Sequence, residues 1–243
     1  MKERADRLLV SLGFFDSRAA ARASIEAGLV VVDGHVVSKP SEKIDDEAKI
    51  EAQAAHPYVS RGGLKLAAAL DAFGVNPEGR VCLDIGASTG GFTDVLLRRG
   101  AKHVFAVDVG RGQFHQSLRA RSDVTVLEAC DARELTAVQI TTAPSLLVCD
   151  ASFISLEKLL ARPLSLSAEG ADFVGLFKPQ FQVGRPNVGK GGIVTDVTAS
   201  DTAAEQFEGW MKEKGWPIQS WKASPILGGD GNAERLFHAV RGV

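Results

Sequence analysis

Four residues stand where a side chain could hold or move a proton. Lys65 lies in Arg61-Gly62-Gly63-Leu64-Lys65-Leu66, and Asp150 follows the run Leu146-Leu147-Val148-Cys149. Lys178 follows Phe173-Val174-Gly175-Leu176-Phe177, and Glu234 lies in Gly231-Asn232-Ala233-Glu234-Arg235. A lysine at the end of a buried apolar run is costly unless its charge is paired or used. Each residue also has a plain structural reading. Lys178 can snorkel to water, and Asp150 can cap a helix expected to start near Ser155. Lys65 falls at the edge of the stripe Leu66, Ala69, Leu70, Phe73, and Glu234 can be a surface turn residue. Spacing alone selects none of the four.

A glycine-rich segment offers a binding site to go with them. Asp84-Ile85-Gly86-Ala87-Ser88-Thr89-Gly90-Gly91-Phe92-Thr93 follows an apolar run and opens a helix, the place where α/β folds cradle a nucleotide-type cofactor. Read as G-x-G-x-x-G, its middle glycine is Ser88, which disfavours close approach of a pyrophosphate and hence a dinucleotide. Asp108 ends the next apolar run, where a carboxylate can hold the ribose hydroxyls of an adenosine cofactor. Asp84, Asp108, Asp131, Asp150 and Lys178 each end or follow a run and are expected on one rim. Four carboxylates there would repel phosphates and suit the sulfonium and ammonium of S-adenosylmethionine.

Two further motif matches compete. Gly86-Ala87-Ser88-Thr89-Gly90 fits the nucleophile elbow G-x-S-x-G, with Asp150 and His238 following in hydrolase order. An elbow normally lies well inside its sheet, whereas this one follows the first evident strand of its domain and has no oxyanion-type glycine segment before it. Gly184-Arg185-Pro186-Asn187-Val188-Gly189-Lys190 fits G-x-x-x-x-G-K. Gly191 stands where a magnesium-binding hydroxyl is needed and Pro186 removes a cradling N–H, so a P-loop is rejected and a lid over the site is preferred.

The elements that must position these residues fall into two blocks. Residues 4–12 and 17–27 read as helices, the second capped by Asp16-Ser17 and closed by Gly28. Val30 to Val37 reads as a hairpin around Asp33-Gly34, and a short strand is expected near 48–52. His56-Pro57-Tyr58 reads as a linker. From Gly62 onward, apolar runs at 81–83, 104–107, 124–127, 146–149 and 173–177 alternate with helical stretches, the signature of a parallel sheet covered on both faces.

Composition sets the outer bounds. The 243 residues carry 28 Lys+Arg against 30 Asp+Glu, 45% hydrophobic and 7% aromatic residues, an ordinary globular balance that excludes disorder. No run reaches the ~20 apolar residues of a membrane span and no signal-peptide core follows Met1, so a cytoplasmic protein without membrane partners is expected. Cys82, Cys130 and Cys149 show no metal-type spacing, and no metal site is expected.

Taken together, the segments resemble the TlyA-type ribosomal RNA 2′-O-methyltransferases, once called hemolysins and built on the FtsJ-like fold. Residues 4–52 resemble an S-four-like RNA-binding domain in Arg7-Leu8-Leu9, Ser17-Arg18, Gly28, Val32-Asp33-Gly34 and Lys39-Pro40-Ser41. The rest is similar in Tyr58-Val59-Ser60-Arg61-Gly62-Gly63, Leu83 to Thr93, Ser152-Phe153-Ile154-Ser155-Leu156, Lys178-Pro179-Gln180-Phe181 and Gly189-Lys190-Gly191-Gly192. Gln182 stands where the family has Glu, and Arg111 and Arg235 replace aromatics.

The resemblance implies an α/β, Rossmann-like class I methyltransferase sheet with helices on both faces at 61–243, a linker at 56–60 and a small α+β S-four-like RNA-binding domain at 1–55. It places a catalytic tetrad on Lys65, Asp150, Lys178 and Glu234. The cofactor loop falls on Asp84, Gly86, Ala87, Ser88, Thr89, Gly90, Gly91 and Phe92, with Asp108 and Asp131. The implied reaction moves a methyl group from S-adenosylmethionine to a ribose 2′-hydroxyl, expected to be a cytidine's, of ribosomal RNA within ribosomal subunits. Lys178 would act as base, with cationic Lys65 favouring its neutral form, or as a fixed charge on the developing alkoxide. Arg4, Arg7, Arg18 and Arg22 would meet RNA phosphates. Which subunit is modified stays open, as does the oligomeric state, a monomer being compatible. The contrasting reading is an RNA-binding or hemolysin-type protein without methyl transfer.

Overall fold

The structure, a computed structural model, describes residues 2–242 and divides into two compact units between Ser60 and Arg61. The first unit runs β1 (Lys2–Arg4), α1 (Ala5–Ser11), α2 (Arg18–Glu26), β2 (Val30–Val32), β3 (His35–Val36), β4 (Lys43–Asp45) and β5 (Ile50–Ala52). Ser17 caps α2, its hydroxyl accepting the Ala20 N–H at 3.2 Å. Asp33 and Gly34 take φ of +49° and +81°, the left-handed pair a type I′ turn demands, and join β2 to β3. β5 pairs with the other edge of β2. Leu8, Leu9, Phe15, Ile25, Val30 and Ile44 form the core. β1 lies antiparallel to β4, which falls within the acidic stretch 42–47, and nothing in the sequence announces this pairing. Three-residue strands carry no period, and only a distant partner makes them strands.

The second unit contains α3 (Gly62–Phe73), β6 (Val81–Ile85), α4 (Gly91–Arg98), β7 (His103–Val107), α5 (Gln116–Arg119), β8 (Val124–Leu127) and β9 (Leu146–Cys149). It continues with α6 (Leu156–Ser165), β10 (Asp172–Phe177), α7 (Val197–Glu213), β11 (Ile218–Ala223) and β12 (Arg235–Val240). The sheet order is β11-β12-β10-β9-β6-β7-β8. The neighbours from β10 through β8 are parallel, as the continuous apolar runs predict. β12 and β11 add an antiparallel edge that the sequence reading lacks. Both mix Lys, Gln, His or Arg with apolar residues, so neither shows the continuous run of a doubly buried strand.

Packing explains where the edge attaches. A Cβ on Gly175 of β10 would lie 2.5 Å from the Phe237 ring of β12, its register partner, so the glycine makes room for that ring. Phe237 then joins Phe173, Phe207 and Trp221 in an aromatic cluster. The chain leaves β6 toward β7 on one side and returns to β9 on the other. That reversal opens a crevice at the carboxyl ends of β6 and β9, where α/β sheets bind ligands. Among the described residues no helix is long and apolar enough to cross a membrane.

Candidate active site

The glycine turn after β6 is shaped by close backbone contact. A Cβ on Gly86, at φ +80°, would meet Ala151 backbone atoms at 3.0 Å, so a larger residue would push the loops after β6 and β9 apart. Gly90, at φ +93°, leads into α4 against Leu118 and Phe114. Ser88 reaches φ +47° without being glycine, and its N–H donates to Asp108 Oδ2 at 2.8 Å. The other Asp108 oxygen accepts the Gly110 N–H at 2.6 Å. Asp108 is thereby fixed in place, with acceptor capacity left over on each oxygen.

A cavity of about 510 Å³ lies over this turn, lined by Gly86, Ser88, Asp108, Asp131 and Asp150 against an apolar wall that includes Ile85, Val107 and Ile154. Of the expected cofactor-loop residues, Ala87, Thr89, Gly90, Gly91 and Phe92 are not among its lining, and Ala87, Gly90, Gly91 and Phe92 are buried behind it.

Asp84 corrects the expectation of a shared rim. It is wholly buried within β6, accepting the Thr93 hydroxyl at 2.7 Å, and burial raises its carboxyl to about 7. The rim is also less negative than four aspartates suggest. Arg133 pairs with Asp131 at 2.5 Å and lowers its pKa, and Lys178 pairs with Asp150 at 2.6 Å.

A second cavity of about 510 Å³ holds all four tetrad residues, Lys65, Asp150, Lys178 and Glu234. Asp150, Ser152 and Phe153 line both cavities, so they form the seam between them. Lys65, read as a solvated edge by periodicity, is buried and pairs with buried Glu234 at 2.5 Å. Burial pushes the Glu234 carboxyl up, against the pull of Lys65. The two lysines thus come as two separate carboxylate pairs, and Glu234 compensates the Lys65 charge that was expected to act on Lys178. Around Lys178 Nζ stand Asp150 Oδ1 at 2.6 Å, the Asp150 carbonyl at 3.3 Å and Ser152 Oγ at 2.9 Å.

The glycine-rich segment expected as a lid is tied down. Buried Asn232 accepts the Val194 N–H and donates to the Gly192 carbonyl, both at 2.9 Å, and Gly192 and Val188 line the lysine cavity as a wall. Two departures from the family pattern have local partners. Gln182 accepts the Leu156 N–H at 3.1 Å at the start of α6, and Arg235 pairs with Asp201 of α7.

Ser152 and Phe153 lie in the family-like segment Ser152 to Leu156, where nothing in the sequence marks them as site residues. Phe153 is 90% exposed at φ +66°, its ring 5.2 Å from Phe181. A phenylalanine in left-handed conformation is strained, and such strain gathers at functional sites. No spacing rule predicts it. The hydrolase alternative is not assembled, since His238 pairs with Asp172 at 2.7 Å, at the opposite end of β10 from Lys178.

In the first unit the arginines split into two classes. Arg4 makes two bonds to buried Asp6 at 3.0 and 3.1 Å, and Arg18 makes one at 2.8 Å. Arg7 and Arg22, exposed like Arg18, have no ion-pair partner among the described residues.

Comparison with known proteins gives this arrangement a family. The FtsJ-like methyltransferase model matches residues 58–241 and the S4 domain model residues 3–50. The 16S/23S rRNA (cytidine-2′-O)-methyltransferase TlyA of Mycobacterium tuberculosis is 43% identical over 235 residues, 96% of this chain and 88% of that protein. Hemolysin A of Brachyspira hyodysenteriae is 39% identical over 98% of this chain and 99% of its own. A solved structure described as a hemolysin from Streptococcus thermophilus aligns with a TM-score of 0.79 at 40% identity, covering 99% of this chain and 89% of that one. An S4 domain followed by a glycine turn, a switch-point cavity and two lysine–carboxylate pairs thus places the chain in the FtsJ-like methyltransferase family.

Proposed function

We propose that this chain transfers a methyl group from S-adenosylmethionine to a ribose 2′-hydroxyl of ribosomal RNA, in the cytoplasm where ribosomal subunits are found. The observation that carries the reading is the seam. One cavity has the fixed carboxylate and apolar wall that an adenosine cofactor needs, the other holds the lysine–carboxylate pairs, and Asp150, Ser152 and Phe153 belong to both. Cytidine is the proposed nucleoside, because the TlyA relative carries cytidine-2′-O in its name.

The residues fit the cofactor. Asp108, held by two backbone N–H groups, points its remaining acceptor capacity at ribose hydroxyls, and Ile85, Val107 and Ile154 give an adenine an apolar bed. When bound, S-adenosylmethionine supplies an electrophilic methyl carbon on a sulfonium. A 2′-hydroxyl is a weak nucleophile, so the protein must place it in line and manage its proton. Lys178 stands at the seam to do both. Asp150 holds Lys178, and Glu234 holds Lys65 in the wall of the same cavity. The exposed Phe153 ring offers a stacking face of the kind that single-stranded RNA bases use.

For the RNA itself, Arg7 and Arg22 are exposed arginines of the first unit that Asp6 does not engage, while Arg4 and Arg18 share themselves with Asp6. The test is transfer of labelled methyl from S-adenosylmethionine to unmodified ribosomal subunits, with calorimetry of the cofactor alongside. Labelled 2′-O-methylcytidine is expected, and Asp108→Ala is expected to weaken cofactor binding by roughly tenfold or more. Failure of the wild-type chain to label either subunit, or unchanged affinity in Asp108→Ala, would overturn the respective assignment.

A further inference from the structure

The Lys178 amine has three acceptors around it, and only two belong to the tetrad. Asp150 supplies its carboxylate Oδ1 at 2.6 Å and its backbone carbonyl at 3.3 Å. The third is Ser152 Oγ at 2.9 Å, from an exposed residue that lines both cavities. Two hydrogen bonds and one ion pair thus surround the ammonium group, and Ser152 accepts the shorter of the two hydrogen bonds.

We propose that Ser152 is a positioning residue for Lys178: its hydroxyl accepts from Nζ, pins the amine at the seam between the cavities, and turns its own O–H toward the acceptor oxygen. This inference rests on the methyl-transfer reading above. The physical need follows from the lysine side chain. A four-carbon stem with a point charge swings freely unless it is held from more than one direction, and in-line displacement tolerates little misplacement. Asp150 holds the amine only from the end of β9. Ser152 is the hold on the side where the cavities join, and a hydroxyl can accept from the amine while donating to a second oxygen. The other charged groups in that wall are Asp230, Glu234 and Lys65, and the last two are engaged with each other.

The experiment uses the full chain, Ser152→Ala and Ser152→Thr, with two readouts. The first needs no RNA. Acetic anhydride competes for lysine amines across a pH series, and mass spectrometry gives the titration midpoint of Lys178. Loss of an acceptor disfavours the ammonium form, so the midpoint is expected to fall by about one pH unit in Ser152→Ala and to return in Ser152→Thr, which keeps the hydroxyl. The second is single-turnover methyl transfer to unmodified ribosomal subunits at saturating S-adenosylmethionine. The rate per neutral Lys178, with the neutral fraction taken from the first readout, is expected to fall about tenfold in Ser152→Ala and to stay near wild type in Ser152→Thr. A wild-type midpoint and rate in Ser152→Ala would overturn the assignment, as would a moved midpoint with an unmoved rate, or no recovery with threonine. If the wild-type chain labels no RNA, the functional reading fails by itself, and the Lys178 midpoint alone decides whether Ser152 holds the amine.

Discussion

The two units treat buried charge in opposite ways. In the first, Asp6 is wholly buried but meets two guanidiniums whose side chains still reach water, and the bond from Arg4 holds its carboxyl well below the usual range. In the second, Asp84 is equally buried but meets a hydroxyl, and its carboxyl rises to about 7. Beside it, Lys65, Lys178 and Glu234 are all buried at the wall of an open cavity. Pairs desolvated on both sides are poor stabilisers, because the cost of removing two charges from water consumes most of their attraction. Asp6 therefore reads as a tie between α1 and α2, whereas the Lys65–Glu234 pair, buried on both sides, adds little net stability, as the role proposed for it above would allow.

The largest expected effect tests the machinery. Lys178→Ala should lower single-turnover methyl transfer by ~10²–10⁴-fold while cofactor and RNA affinity stay near wild type, since a group used in the transition state adds little to ground-state binding. Lys178→Arg should give no recovery, because a planar guanidinium neither accepts a proton nor suits acceptors gathered around a point. Substantial activity in the arginine variant would make Lys178 a fixed cation instead of a proton acceptor. Wild-type rates in the alanine variant would remove it from the chemistry.

The next effect is on stability. Asp6→Asn should lower the melting temperature of the first unit by several degrees at neutral pH, followed by circular dichroism on the full chain. A carboxyl whose folded pKa is depressed contributes stability above its unfolded pKa of about 3.9 and loses it as pH falls. The gap between variant and wild type should therefore close below about pH 4. A gap independent of pH would mean that Asp6 acts through packing and not through charge.

Asp84→Asn should show the smallest effect, with the reverse sign. A carboxyl raised to about 7 contributes stability below its unfolded pKa, near 4, and loses it as pH climbs through 7. The asparagine variant can still accept the Thr93 hydroxyl, so it should gain a few degrees on wild type at about pH 8 and little at about pH 5. Equal differences at both values would contradict a protonated Asp84 in the folded chain.

Much of this protein is written in short stretches of its sequence. Ser17 as a cap, Asp33-Gly34 as a turn and five apolar runs as parallel strands depend on backbone preferences within a few residues, and each appears where local chemistry predicts it. Family-length motifs also singled out Lys65, Asp150, Lys178 and Glu234, although their spacing alone did not. What needed the folded chain is whatever depends on a partner far along it. β1 is a strand because of β4, and β12 because Gly175 leaves space for Phe237. Asp84 and Asp108 both end apolar runs, yet Asp84 sinks below the glycine turn while Asp108 is lifted to its edge by two backbone N–H groups. Arg4, Arg7, Arg18 and Arg22 look alike in sequence, and only a buried carboxylate between two helices separates the two that are engaged from the two that are not. Local propensity acts over a turn or a few residues, whereas burial and ion pairing act across the core, and the charges that matter here are decided by the second.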